Sequence, residues 1–322
     1  MRLRKSVTMN THNTPHWDET YDVVVVGSGA GGMTAALCAK GHGLSAVVVE
    51  KTDAYGGTSA VSGGGIWIPC NDDMPSTGIR DSYDEALAYM THLTRGEVPL
   101  PRIEAYLKNA PEMVRTLGRD YGVQFRPVGR YPDYFPNETG GKPGARTMEP
   151  VAFDAAKLGD EFFHQREPYK GTLVLGRISM DQIDAHTLFA RSKGWIRLTM
   201  KLMWRYWTDL SWRRKTWRDR RQVLGQGLVA SLRHALQQHD VPVVRNTALE
   251  QLIETGGVVG VQVKHLLMHR CSRAKKAVLS AVRQSSRCFV NCMSKLVWMG
   301  RAAIAGVVPC SPNWLSVVCM PV

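Results

Sequence analysis

The chain has 322 residues, 44% of them hydrophobic and 21% charged, enough to bury one large core or two medium ones, which excludes a peptide-like or wholly disordered molecule. Forty-one lysines and arginines against 28 acids give a net charge of +13, so a membrane surface, a nucleic acid or an anionic ligand is a partner class worth weighing. The 30 glycines exceed average usage and call for a positional explanation.

Residues 1–20 begin with Arg2, Arg4 and Lys5 but then turn polar, without the apolar stretch of a signal peptide. They read as a disordered leader, with Met9 as an alternative start. No run of 18 apolar residues occurs, so no conventional transmembrane helix is expected. An odd cysteine count of seven and no secretion signal predict reduced thiols in the cytoplasm.

The first element with chemistry starts at Tyr21. Val23-Val24-Val25-Val26 is the β-branched run of a strand buried on both faces of a parallel sheet. It stops at Gly27-Ser28-Gly29-Ala30-Gly31-Gly32, which contains G-x-G-x-x-G, and Met33 to Lys40 continues as an alanine-rich helix ending near Gly41 and Gly43. Gly27 permits the tight turn, Gly29 lets backbone approach a pyrophosphate, and Gly32 lets helix and strand pack closely, while the helix N-terminus offers N–H groups to phosphate charge. A second strand, Ser45 to Val49, delivers Glu50 where an acid would accept hydrogen bonds from an adenosine ribose. Strand, glycine turn, helix, strand and terminal acid in this order predict dinucleotide binding.

A second glycine- and hydroxyl-rich loop follows directly, with Gly57, Thr58, Ser59, Ser62, Gly63, Gly64 and Gly65 able to lay donors along a long cofactor. A nicotinamide domain would proceed to another helix here, and a flexible linker would not run straight into Ile66-Trp67-Ile68-Pro69. Residues 82–120 carry apolar positions at helical spacing, interrupted by Pro99 and Pro101, and read as packing helices. Residues 121–172 are rich in proline and loops, where substrate contacts usually sit. Between Arg191 and Arg221 stand eleven basic residues and five tryptophans against Asp209 and Asp219; an amphipathic helix packed on its own domain, an interfacial membrane helix and a nucleic-acid patch are the three readings, in that order. Val241 to Thr247 reads as a strand, and Leu249–Glu254 with Val258–Val263 as a hairpin turning at Gly256-Gly257.

The motifs resemble the flavoproteins of the fumarate reductase and succinate dehydrogenase type, and within them the bacterial 3-oxosteroid dehydrogenases. The likeness rests on Gly27 to Gly32, Glu50-Lys51, Gly56 to Ser59, Ser62 to Pro69, Tyr131-Pro132-Asp133-Tyr134 and Gly140 to Pro150, with Arg218 to Arg221 and Gly225-Gln226-Gly227 like a second cofactor contact. It covers roughly residues 20–263. It implies an α/β fold: a Rossmann-like FAD-binding domain over 21–263 with a parallel sheet, a helical and loop-rich excursion and a small β-hairpin, the family's catalytic cap domain being read as missing here. It implies FAD held by Gly27, Gly29, Gly31, Gly32, Glu50, Lys51, Gly57, Thr58, Ser59, Ser62, Gly63, Gly64 and Gly65. The implied partners are a 3-oxosteroid and an electron acceptor; the composition of 191–221 adds peripheral membrane contact as a further option, and no nucleic acid and no metal are expected. In the implied reaction a hydride passes from the steroid A ring to flavin N5, one tyrosine removes the neighbouring proton, and another with a backbone N–H polarises the 3-keto group. Tyr134 matches a supporting tyrosine of that site; the others implied by the resemblance belong to segments past residue 263, and no tyrosine follows Tyr206 here.

Past Val263 the family pattern fails. Arg273 to Leu279 echoes its basic segment and strand, but Val282-Arg283-Gln284-Ser285 stands where a Gly-Gly-Phe turn is expected. Residues 264–322 form a basic, cysteine-rich tail without one acid, read as a shifted reading frame or truncated gene, with a genuine basic extension as the alternative. Cys288 and Cys292 have no second pair at finger-like spacing, so zinc is not expected. The expectation is an incomplete enzyme with little turnover; a fumarate reductase-like flavoprotein acting on small dicarboxylates and an inactive basic binding protein are the other two readings.

Overall fold

Four consecutive valines set the centre of the main sheet. In the computed structural model, which describes residues 17–255, 258–265 and 268–280, Val24 and Val25 are fully buried and Val23 nearly so. The chain forms β1 (Glu19–Val26), α1 (Ala30–Gly41), β2 (Ala46–Val49), β3 (Ile66–Trp67), α2 (Tyr83–Thr94), α3 (Leu100–Tyr121), β4 (Phe125–Pro127), β5 (Thr147–Pro150), β6 (Phe153–Asp154), β7 (Leu173–Val174) and β8 (Ile178–Ser179). It continues with α4 (Gln182–Phe189), α5 (Trp195–Thr208), α6 (Leu210–Arg213), β9 (Arg221–Gln222), α7 (Leu224–Gln238), β10 (Val243–Val244), β11 (Thr247–Thr255), β12 (Val258–His265) and β13 (Met268–Ser280). These elements fall into two compact units.

The first unit takes residues up to Thr58, His164–Arg166 and Leu232 onward. Its six-stranded sheet has the order β10-β2-β1-β13-β12-β11. β10, β2, β1 and β13 are parallel, and β12 and β11 add antiparallel. Parallel neighbours need a crossover, and α1 supplies it between β1 and β2, where Val23 pairs with Ala46 and Val26 with Val49. The small residues of α1 let it be buried from Ala30 to Ala39. Val24, Val47, Val49, Val261 and Val263 form a buried cluster in the sheet.

Two findings differ from the sequence reading. The strand expected over 241–247 contracts to Val243–Val244, because Asn246 adopts φ +53° and donates its N–H to the Thr52 carbonyl at 2.9 Å, ending the strand before β11 starts. The sheet also continues past Val263: Ala277, Val278 and Leu279 pair in parallel with Val23, Val24 and Val25, so β13 lies beside β1 in the middle of the sheet. The leader residues 1–16, the Gly256-Gly257 turn, Val282 to Ser285, Cys288 and Cys292 lie outside the described residues.

The second unit comprises Ser59–Phe163 and Glu167–Ser231. Ser82 caps α2 by accepting from Glu85 N, and its hydroxyl donates to the Glu85 carboxylate at 3.0 Å. α3 carries Pro101 in its first turn, where proline's missing N–H costs nothing, and Pro111 in its interior. The helix persists through Pro111 because Ala110, Pro111, Met113 and Leu117 are all buried. Ile103 and Leu107 of α3 pack on Ala86 of α2. The tryptophan-rich stretch folds into α5 and α6, with Leu202 and Tyr206 buried against Ile178. Among the described residues no helix is long and apolar enough to cross a membrane.

Candidate functional site

In the first unit, the turn after β1, the start of α1 and the end of β2 converge. Gly27 takes φ +101°, closed to ordinary side chains, and its N–H donates to the Val49 carbonyl at 2.8 Å. Gly29 is the N-cap of α1; no side chain caps that end and its first turn holds no acid, so its dipole is left to favour an anion. A Cβ on Gly32 would lie 2.1 Å from the Gly27 carbonyl oxygen. Gly31 and Gly32 are buried in the same turn.

Glu50, only 7% exposed, closes this corner. Its Oε2 accepts from Ser28 N at 3.0 Å and Ser28 Oγ at 2.6 Å, and its Oε1 from Thr52 N and Thr52 Oγ1, both at 3.1 Å. Ser28 Oγ also accepts from Gly56 N at 3.1 Å. One hydroxyl therefore ties the glycine turn, the acid and the start of the second glycine loop together. Ser28 occupies a variable position of G-x-G-x-x-G, so no motif weights it; a hydroxyl within reach of Glu50 was the available signal. Lys51 and Thr58 are exposed and Gly57 half-buried with φ +52°. Ser28→Ala is expected to destabilise the protein by about 1–3 kcal/mol, because the buried Gly56 N–H loses its acceptor; an unchanged urea midpoint would refute this.

In the second unit the remaining loop residues meet the Gly225 segment. Gly225 N donates to the Ser62 carbonyl at 3.0 Å and Gln226 Nε2 to the Ala60 carbonyl at 2.6 Å. A Cβ on Gly225 would fall 2.0 Å from the Ser59 carbonyl oxygen, and one on Gly64 2.5 Å from the Leu224 carbonyl carbon. Both glycines are thus needed for backbone to lie on backbone. Leu224, at φ +54°, is held in a left-handed conformation at this crossing. Ser62 and Gly63 are exposed, while Ser59 and Gly65 are half-buried. The two segments that the sequence likens to separate cofactor contacts are therefore in direct contact from Ser59 to Gly64.

The Trp67, Pro-Asp-Tyr and Gly140–Arg146 motifs build a second constellation in the same unit. The Arg146 side chain, fully buried, donates from Nε and Nη2 to Asp81 at 2.8 and 2.6 Å, and from Nη1 to Asp133 at 2.8 Å. Asp133 also accepts from Trp67 Nε1 at 2.7 Å and Lys142 N at 2.9 Å. The guanidinium lies 5.4 Å from the Trp67 ring and 5.3 Å from the Tyr89 ring. Burial opposes its charge, but Asp81 and Asp133 outweigh that and hold Arg146 above its ordinary pKa. Asp133 thereby pins the loop whose next residue, Tyr134, is 89% exposed, beside exposed Tyr131 and Phe135. Behind it, burial pushes the phenols of Tyr89 and Tyr106 above their ordinary pKa, and Tyr106 donates to the Trp67 carbonyl.

Residues 22–304 match the FAD binding domain family. The chain belongs to that family. This FAD-binding domain is 39% identical to a 3-oxosteroid 1-dehydrogenase of Comamonas testosteroni over 81% of its length and 46% of the relative's. The crystal structure of a 3-ketosteroid delta1-dehydrogenase from Sterolibacterium denitrificans in complex with 1,4-androstadiene-3,17-dione is similar at TM-score 0.78 and 47% identity, covering 82% of this chain and 47% of that one. A 4-oxocyclohexanecarboxylate 2-dehydrogenase of Sinomonas cyclohexanicum is 43% identical over 44% of this chain and 25% of its own. The chain spans about half the length of the curated 3-oxosteroid dehydrogenases it matches.

The residues present fit FAD. A helix N-terminus without a side-chain cap, behind a positive-φ glycine, would suit the pyrophosphate, and the Glu50 carboxylate ends the neighbouring strand, where a ribose contact would lie. Ser28 N, Ser28 Oγ and Thr52 N donate to Glu50, while the Thr52 hydroxyl lies closer to the Ala54 carbonyl, at 2.7 Å, than to Glu50 Oε1, at 3.1 Å, so Glu50 Oε1 would keep room for a ribose hydroxyl.

Proposed function

We propose that the chain is the FAD-binding part of an enzyme that dehydrogenates the ketone-bearing A ring of a 3-oxosteroid and passes the electrons to a separate acceptor. The observation that carries this reading is that the likeness to 3-oxosteroid dehydrogenases runs through both units. The match covers 265 residues, more than either unit holds alone. FAD, when bound, supplies the two-electron acceptor. Gly27, Gly29, Gly31 and Gly32 receive its pyrophosphate, Glu50 with neighbouring Lys51 its ribose, and Gly57, Thr58, Ser59, Ser62, Gly63, Gly64 and Gly65 line its course. Tyr134, held out by the Asp133 anchor, takes the supporting place beside the steroid. Burial moves the phenols of Tyr89 and Tyr106 upward, opposite to the lowered pKa that suits a general base, and the Tyr106 hydroxyl is committed to the Trp67 carbonyl.

A smaller ring ketone is the second reading, supported by the 4-oxocyclohexanecarboxylate dehydrogenase likeness. The exposed aromatic side chains of Tyr131, Tyr134 and Phe135 favour a broad apolar ligand over a small carboxylate. The purified protein is expected to carry flavin absorbance that responds to a 3-oxosteroid. A colourless protein with no affinity for added FAD, or a flavin spectrum that answers to 4-oxocyclohexanecarboxylate and ignores the steroid, would sink the steroid reading.

A further inference from the structure

α5 buries one face and leaves an apolar one in solvent. Leu202 and Tyr206 pack against Ile178, whereas Ile196, Met200, Trp204 and Trp207 are 61%, 64%, 73% and 46% exposed. At 3.6 residues per turn these four fall within about 80° of helix surface. Trp217, also exposed, meets Trp207 edge-on with ring centroids 6.2 Å apart, so the patch continues beyond the helix. Contiguous exposed apolar surface marks an interaction site.

Charge borders the patch on one side. Arg197 and Lys201 occupy the adjoining sector of α5, and Lys193, Arg214 and Lys215 are exposed in the flanking segments. Among the described residues none of these five forms an ion pair, while the two acids of the stretch are engaged, Asp219 by Arg205 at 3.0 Å and Asp209 by Arg220 at 3.6 Å. The occupant of this face must therefore be apolar at its centre and anionic at its border. A second copy of the chain would bring like charges together across a two-fold contact. The chain's own residues 281–322 carry four cations and no acid, so they offer no complementary charge either.

We propose that this face docks on an anionic lipid bilayer, with Ile196, Met200, Trp204 and Trp207 entering the boundary between headgroups and acyl chains and Arg197, Lys201, Lys193, Arg214 and Lys215 meeting lipid phosphates. Tryptophan suits that depth because its ring is apolar at one end and a hydrogen-bond donor at the other. The inference goes beyond the steroid reading and does not rest on it.

Sedimentation of the full chain with sucrose-loaded vesicles tests this. The protein should pellet with phosphatidylserine–phosphatidylcholine vesicles, at least about tenfold more weakly with phosphatidylcholine alone, and less as salt rises. The double variants Met200→Gln/Trp204→Gln and Arg197→Glu/Lys201→Glu should each lower partitioning by about tenfold or more while circular dichroism and FAD content stay unchanged, since all four side chains are exposed. No pelleting with anionic vesicles would overturn the proposal, as would equal partitioning of wild type and variants. Lipid-free dimerisation abolished by Trp204→Gln would overturn it in favour of a second copy.

Discussion

Arg146→Ala is expected to destabilise the protein by about 3–5 kcal/mol, the cost of leaving buried charges without their counter-ion. The side chains of Asp81 and Asp133 are 1% and 2% exposed, so neither carboxylate can recover its solvation when the guanidinium is removed. The loss spreads through Asp133, which also accepts from Trp67 Nε1 and Lys142 N and so fixes the loop presenting Tyr134. Lysine at this position keeps the charge but cannot reproduce the two parallel bonds to Asp81, and Arg146→Lys should fall between wild type and alanine. Removing the charges as well, in Arg146→Met with Asp81→Asn and Asp133→Asn, should recover part of the lost stability, because replacing a whole buried ion cluster is far cheaper than breaking it. Urea unfolding of the four proteins checks the order. An Arg146→Ala protein within 1 kcal/mol of wild type would show that water reaches these carboxylates and that the motif is not an anchor.

Local rules carried the dinucleotide corner. A valine run, a glycine turn with one residue at φ +101° and an alanine-rich helix each follow from chain-neighbour sterics, and so β1, α1, β2 and Glu50 were all legible from spacing alone. What was not legible depends on distant partners. Asp81 carries no motif, yet it is the bidentate partner of Arg146, 65 positions away. Gly64 and Gly225 read as glycines of two separate cofactor contacts until the Ser59–Ser62 backbone is found lying on Leu224 and Gly225. β13 was legible only as an echo of a basic segment and strand over Arg273 to Leu279, because Arg270, Arg273, Lys275 and Lys276 break the alternation that marks a strand; its place beside β1 is fixed by pairing across some 250 residues of chain. Asn246 shows the converse, a strand expected from valines and cut short by one residue in a left-handed turn.

Gly32→Val should be the most damaging single change in the cofactor corner. A Cβ there would sit 2.1 Å from the Gly27 carbonyl oxygen and 3.3 Å from Val25 Cγ1, and the carbonyl has little room to retreat because Gly27 N is bonded to the Val49 carbonyl at 2.8 Å. Either α1 lifts off β1 or the glycine turn is deformed. The first opens a core in which Met33, Ala36 and Leu37 are fully buried; the second moves the N–H groups proposed to receive the pyrophosphate. Overpacking against backbone is expected to cost about 3 kcal/mol or more, with FAD retained at no more than about a tenth of the wild-type ratio. Gly118→Ala provides the contrast: Gly118 lies inside α3 with nothing within 4 Å of the added Cβ, so alanine there should stabilise by about 0.5–1 kcal/mol and leave FAD untouched. Thermal unfolding and the flavin-to-protein absorbance ratio of both variants decide the matter. A Gly32→Val protein with wild-type stability and full FAD content would mean that α1 and β1 have freedom to separate that the close approach of their backbones denies.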